Sequence, residues 1–194
     1  VLTSSFSGEG KSTISTNLAI TMAQSGARTL LIDADLHKST LYNRLGAMKV
    51  PGVTELLTGD IDLSHACQEI GVPNLTFIST GTTPPNPSVL LGSPEMKSLV
   101  DQLRGRFDQI IIDAPPTLPV ADSVVLTSLA DHVLIVIEGG KIPAKAVIRL
   151  GELLRNASAP VAGFVFNNKT LRGAGYGYGY GYGYGYGYGY GYGY

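Results

Sequence analysis

Apolar and polar positions follow one another along this chain in two rhythms, and the changes between them mark out its elements. Short β-branched and aliphatic runs at Thr29 to Asp33, Leu75 to Ser79, Gln109 to Asp113, His132 to Ile137 and Val161 to Asn167 predict strands. Several of these runs are continuously apolar, the pattern of strands covered on both faces. Longer stretches predict helices over Ser12 to Ser25, Pro94 to Arg104 and Pro143 to Arg155. In the first of these, Ile14, Leu18 and Met22 recur every four residues, and Pro94 and Pro143 suit first-turn positions. Strands alternating with helices predict an α/β fold, a doubly wound and mostly parallel sheet between two helical layers. The run Thr80 to Pro87 carries three prolines, which remove donors and push their predecessors toward extended backbone, so it predicts a rigid surface loop.

Composition narrows the class. With 194 residues the chain suits one globular unit, and from Gly173 glycine and tyrosine take over with no charge and no further aliphatic residue after Ala174. The expected organisation is therefore a domain over 1–172 and a flexible low-complexity tail over 173–194. The net charge of −1, without a basic run, gives no electrostatic footprint for nucleic acid. A single cysteine, Cys67, excludes an intramolecular disulfide and is read as a packing residue in a reducing compartment. No apolar run approaches the ~18 residues that span a bilayer, and no signal peptide opens the chain. The first residue is Val1, already in a strand-like run, so the chain is expected to be part of a longer protein.

The strongest chemical signal is Ser4-Ser5-Phe6-Ser7-Gly8-Glu9-Gly10-Lys11-Ser12-Thr13, between a strand and a helix. Phosphates need a ring of backbone N–H groups at a helix N-terminus, and Gly8 and Gly10 permit the tight turn that presents them. Lys11 then reaches the β- and γ-phosphates, and the Ser12 hydroxyl ligates magnesium. The strict pattern opens on glycine, where this chain has Ser5; the competing reading is a glycine-rich turn that caps a helix.

Two apolar strands end in carboxylates. Thr29 to Asp33 continues into Ala34-Asp35, and in extended backbone this spacing places the Asp33 and Asp35 carboxylates on one face. There they would serve a magnesium shell or accept a hydroxyl proton. Ile110 to Asp113 leads into Ala114-Pro115-Pro116 and suits a residue that holds the metal from the far side. For each aspartate the alternative is a turn or N-cap residue, and Asp35 is the one for which that alternative has most room.

The succession Gly8-Glu9-Gly10-Lys11-Ser12-Thr13, Asp33-Ala34-Asp35 and Asp113-Ala114-Pro115-Pro116 resembles the bacterial protein-tyrosine kinases of capsule and exopolysaccharide export, over essentially Val1 to Arg172. The resemblance implies a P-loop three-layer α/β sandwich like that of the ATPases that position chromosomes and division sites. It implies ATP and Mg2+ as cofactors, with Gly8, Glu9, Gly10, Lys11, Ser12 and Thr13 around the phosphates and Ser12, Asp33 and Asp113 around the metal. Lys11, Asp33 and Asp35 take the catalytic places, Asp33 as base or metal-shell residue. By similarity of its late strand, Gly163-Phe164-Val165-Phe166-Asn167, the adenine contact falls on Asn167. The family usually carries a basic pair after the second aspartate; this chain has His37-Lys38. The positioning ATPases carry a signature lysine where this chain has Phe6, which sets it apart from that branch.

Family members also carry a C-terminal tyrosine cluster that they autophosphorylate. By that resemblance the acceptors are Tyr176, Tyr178, Tyr180, Tyr182, Tyr184, Tyr186, Tyr188, Tyr190, Tyr192 and Tyr194. Glycine spacers leave each phenol accessible, and each phosphate adds about −1.5 to −2 charges. An adhesive, unmodified low-complexity segment is the rival reading. The expected function is an ATP- and magnesium-dependent protein-tyrosine autokinase that acts mainly in trans and regulates polysaccharide polymerisation. The alternatives are a dimerising ATPase switch and a non-catalytic nucleotide sensor. The resemblance implies as partners further copies of the chain, a membrane polysaccharide co-polymerase segment and a phosphotyrosine phosphatase. It also implies a place on the cytoplasmic face of the plasma membrane.

Overall fold

The computed structural model describes residues 1–168, so the whole tyrosine tract and the expected domain boundary after residue 172 lie outside the described residues. A seven-stranded sheet forms the centre. Its strands are β1 (Leu2–Ser4), β2 (Thr29–Asp33), β3 (Gln68–Glu69), β4 (Leu75–Ile78), β5 (Gln109–Asp113), β6 (Val133–Glu138) and β7 (Val161–Asn167). They lie in the order β3-β4-β2-β5-β1-β6-β7, all parallel except the β3–β4 pair. This is the doubly wound sheet that the alternation of elements predicts.

Both faces are covered. On one, α1 (Lys11–Gln24) and α2 (Leu41–Leu45) pack over Leu2, Leu31, Phe77, Ile111 and Val136. On the other, α3 (Val53–Thr58), α4 (Leu63–Ala66), α5 (Pro87–Leu91), α6 (Pro94–Arg104) and α7 (Asp122–Thr127) pack over Leu30, Ile32, Ile78 and Ile112. There α8 (Ala144–Asn156) covers Val133, Ile135 and Ile137 of β6. Leu30 and Ile32 thus face one layer and Leu31 the other, which is why β2 is apolar throughout.

Three details depart from the sequence expectation. The fully buried stripe of α1 is Lys11, Ser15, Ala19 and Ala23, while Ile14, Leu18 and Met22 are only half-buried beside it. Small residues let the helix lie close against the sheet, and the larger ones fill the space along its flanks. Pro143 stands at the N-cap of α8, one position before the first turn. Pro87, expected in the loop, opens α5 at a first-turn position, where its missing N–H costs nothing. In α6 the expectation holds: the Ser93 hydroxyl caps the Met96 amide at 3.3 Å and Pro94 opens the helix.

Candidate functional site

The strand order puts β1 between β5 and β6, so the loop leaving β1 emerges at the carboxyl edge of the sheet with β2 and β5 alongside. Open α/β sheets bind ligands at such an edge. Gly8 and Gly10 have φ of 90° and 92°, a left-handed region that favours glycine. A Cβ on Gly10 would also run into the Asn167 side-chain amide, so the loop and the end of β7 are packed together there.

Lys11 begins α1 and is buried, with Nζ 2.9 Å from Asp113 Oδ2. The same oxygen accepts from Ser12 Oγ at 2.7 Å, and Asp113 Oδ1 accepts from Ser15 Oγ at 3.0 Å. Asp113 and Asp33 are register partners on adjacent parallel strands, each 1% exposed. The structure thus brings the buried Lys11, Asp33 and Asp113 together with the half-buried Ser12. Burial, and then the like charge of Asp113, push the Asp33 carboxyl up to about 7; the Ser39 hydroxyl at 2.7 Å, the Asp35 amide and Lys11 oppose the rise.

Asp35 sits beyond the end of β2, half-buried, with its carboxylate accepting the Lys38 amide at 3.0 Å and its own amide donating to Asp33 Oδ1 at 3.2 Å. Its side chain therefore shapes the turn that follows the strand. Glu9 points inward: Oε1 accepts from the Phe6 amide at 2.6 Å, and Oε2 from the Glu138 amide at 3.1 Å at the end of β6. What Glu9 offers a phosphate is backbone, since its carboxylate holds the loop to the sheet. Asn167 Nδ2 donates to the Glu9 carbonyl at 2.8 Å, and Thr13 accepts from Arg44 Nη1 at 2.9 Å. Phe6, at the position of the signature lysine, is 40% exposed.

Sequence reading missed Ser15, Ser39, Arg44 and Asp122. Asp122 is wholly buried at the head of α7, and it accepts from Ser88 Oγ and pairs with His37 Nε2 at 2.7 Å. No period on α1 singles out Ser15, because Ser12, Thr13, Thr16 and Asn17 around it are polar too, and nothing near Asp122 in the chain announces a partner 85 residues away.

The donor chemistry fits a polyphosphate with a divalent cation. A glycine loop opens onto a helix N-terminus, a lysine and a hydroxyl lie against buried carboxylates, and the buried Ser5 Oγ has no hydrogen-bond partner among the described residues. Fold and site together define a P-loop nucleoside-triphosphate-binding domain.

A family model described as an AAA domain matches residues 3–159. The tyrosine-protein kinase ptk of Acinetobacter johnsonii is 41% identical over 167 residues, covering 86% of this chain and 23% of that protein. The tyrosine-protein kinase YwqD of Bacillus subtilis is 37% identical over 171 residues, covering 88% of this chain and 72% of that one. The kinase domain of the Escherichia coli tyrosine kinase ETK matches with a TM-score of 0.84 at 32% identity, over 92% of this chain and 71% of that chain. The chain belongs to the bacterial tyrosine-protein kinases of P-loop type. It spans 23% of the length of relatives such as ptk, and among the described residues no helix is long and apolar enough to cross a membrane.

Proposed function

We propose that the chain transfers the γ-phosphoryl group of ATP to tyrosines of the Gly-Tyr tract, mainly on another copy of itself. The observation that carries this reading is the set Lys11, Ser12, Asp33 and Asp113, in a chain of this family that also bears ten alternating tyrosines from Tyr176 to Tyr194. Ser12, Asp113 and Asp33 are the residues that would hold magnesium, which when bound neutralises charge on the phosphate oxygens. Lys11 and the loop amides stabilise the charge that develops on the transferred group. The phenolic oxygen forms the new bond to the γ-phosphorus as the bond to the ADP oxygen breaks. Asp33, at the end of β2, receives the phenolic proton. Asp35 supports this base by fixing the turn that presents it, and Asn167 at the loop is the adenine contact. The proposed setting is the cytoplasmic face of the plasma membrane, with other copies, a polysaccharide co-polymerase segment and a phosphatase as partners.

The test mixes protein lacking residues 173–194 with a Lys11→Met protein that keeps its tail, adds ATP and magnesium, and reads phosphotyrosine by chain size. Phosphotyrosine on the longer chain is expected. An unmodified longer chain, with an activating segment supplied, overturns the trans-kinase reading.

A further inference from the structure

Between β2 and α2 the Ala34 amide still donates to the Asp113 carbonyl at 3.0 Å and Leu36 is buried in the core; the rest of the segment, in neither strand nor helix, carries Asp35 and Ser39, the hydroxyl bonded to Asp33 at 2.7 Å. Within this segment the bond from the Lys38 amide to Asp35 is local. Beyond Leu36, a side-chain anchor from elsewhere in the fold is at His37, whose Nε2 lies 2.7 Å from Asp122 Oδ2. His37 is 40% exposed, whereas Asp122 is wholly buried. Asp122 Oδ1 is taken by the hydroxyl of Ser88 on α5. One buried carboxylate therefore ties together α5, α7 and the segment that supports Asp33.

We infer that Asp122 is a positioning residue for phosphoryl transfer, holding the Asp33–Ser39 segment through His37 so that Ser39 stays on Asp33. The inference rests on the kinase reading of this site. A buried carboxylate is costly without charged or hydrogen-bonding partners, so the partners it does have carry its purpose. Here it meets a basic residue two positions from the hydroxyl that orients Asp33. The nucleotide loop is held by other means, Glu9 to the end of β6 and Lys11 to Asp113. Loss of the Asp122 anchor should therefore disturb the base and leave nucleotide binding in place.

Asp122→Asn keeps the side-chain volume and the acceptor for Ser88 while removing the charge that meets His37. In the trans assay its kcat should fall about 10- to 100-fold, the scale for a misplaced reacting group, with KM for ATP within about threefold of wild type. His37→Leu should do the same, and His37→Arg, which keeps an N–H donor for the Asp122 carboxylate, should recover at least half of the wild-type rate. Hydrogen exchange on the nucleotide-free protein reads the same inference without turnover. Amides 35–40 should exchange at least about tenfold faster in Asp122→Asn, with amides 5–13 unchanged. If wild type makes no phosphotyrosine, the kinase reading fails and the exchange result decides whether the anchor exists. Unchanged exchange at 35–40, a kcat within twofold of wild type, or an equal loss in His37→Arg and His37→Leu would overturn the positioning role.

Discussion

Replacing Asp33 by asparagine should stabilise the nucleotide-free protein, by an amount that grows with pH. The carboxyl of Asp33 is raised from 3.8 to about 7, first by burial and then by the charge of Asp113 across the β2–β5 pair. Between those two values the folded protein keeps a proton that the unfolded chain has already released. The fold is therefore spared this cost below about pH 4, loses stability as pH rises, and levels off once the folded group has ionised above about 7. At 1.36 kcal/mol per unit the full cost reaches about 4 kcal/mol at pH 8, of which about 2 to 3 kcal/mol accrues between pH 5 and pH 8. Asparagine has no proton to lose and still accepts from Ser39, so the variant escapes that cost. The Val1 amine, lowered by burial to about 6, titrates in both proteins and cancels from the difference. Urea unfolding of both proteins at pH 5, 6, 7 and 8, in chelator and without nucleotide, measures the gap directly. A gap that is flat or narrows with pH would refute the argument, because it would mean that Asp33 is already ionised in the fold at pH 5.

Three further variants test the same geometry. Lys11→Met should abolish ATP binding in calorimetry and phosphotyrosine formation in blots, since the phosphates lose their cationic partner. The same change leaves buried Asp113 without its ion pair, so this variant should also lose about 3 kcal/mol or more of stability at pH 8 in urea unfolding. Gly10→Ala must adopt a φ of 92° with a Cβ against the Asn167 amide, so it should weaken ATP affinity at least about tenfold in a fluorescent-nucleotide titration. Gly8→Ala has open space around the added carbon and meets only the backbone cost at φ 90°, so it should be the milder variant.

How far the chain can be read without coordinates depends on whether a feature is local. The nucleotide loop, β2, β5, β7 and α6 carry their signals within a dozen residues: glycines before a lysine, β-branched runs, a Ser-Pro helix start. β3 is two residues of an antiparallel edge, too short for any period to show. Helices α2, α3, α4, α5 and α7 run four to six residues, under two turns, so no amphipathic repeat could mark them. At the site, Lys11, Ser12, Asp33 and Asp113 were legible because each sits at a fixed offset from a strand end. The inward turn of Glu9 was not, because it depends on the Glu138 amide 129 residues away. Asp122 and His37 are hidden for the same reason.

The charges at the site constrain how its ligands bind. In the nucleotide-free fold Lys11 lies against Asp113, and Asp33 relieves the crowding of two buried carboxylates by holding its proton up to about 7. Lys11 cannot serve a phosphate without loosening its hold on Asp113, and that movement would leave Asp113 and Asp33 facing each other across the β2–β5 pair without a cation. Two adjacent buried carboxylates without a counter-charge are unfavourable, and a divalent cation beside them reverses the balance and favours ionised Asp33. On the proposed reading, phosphate and metal therefore bind more favourably together than either does alone. Glu9 and Ser15 stand apart from that exchange: Glu9 ties the loop to the end of β6, and the Ser15 hydroxyl stays on the other Asp113 oxygen.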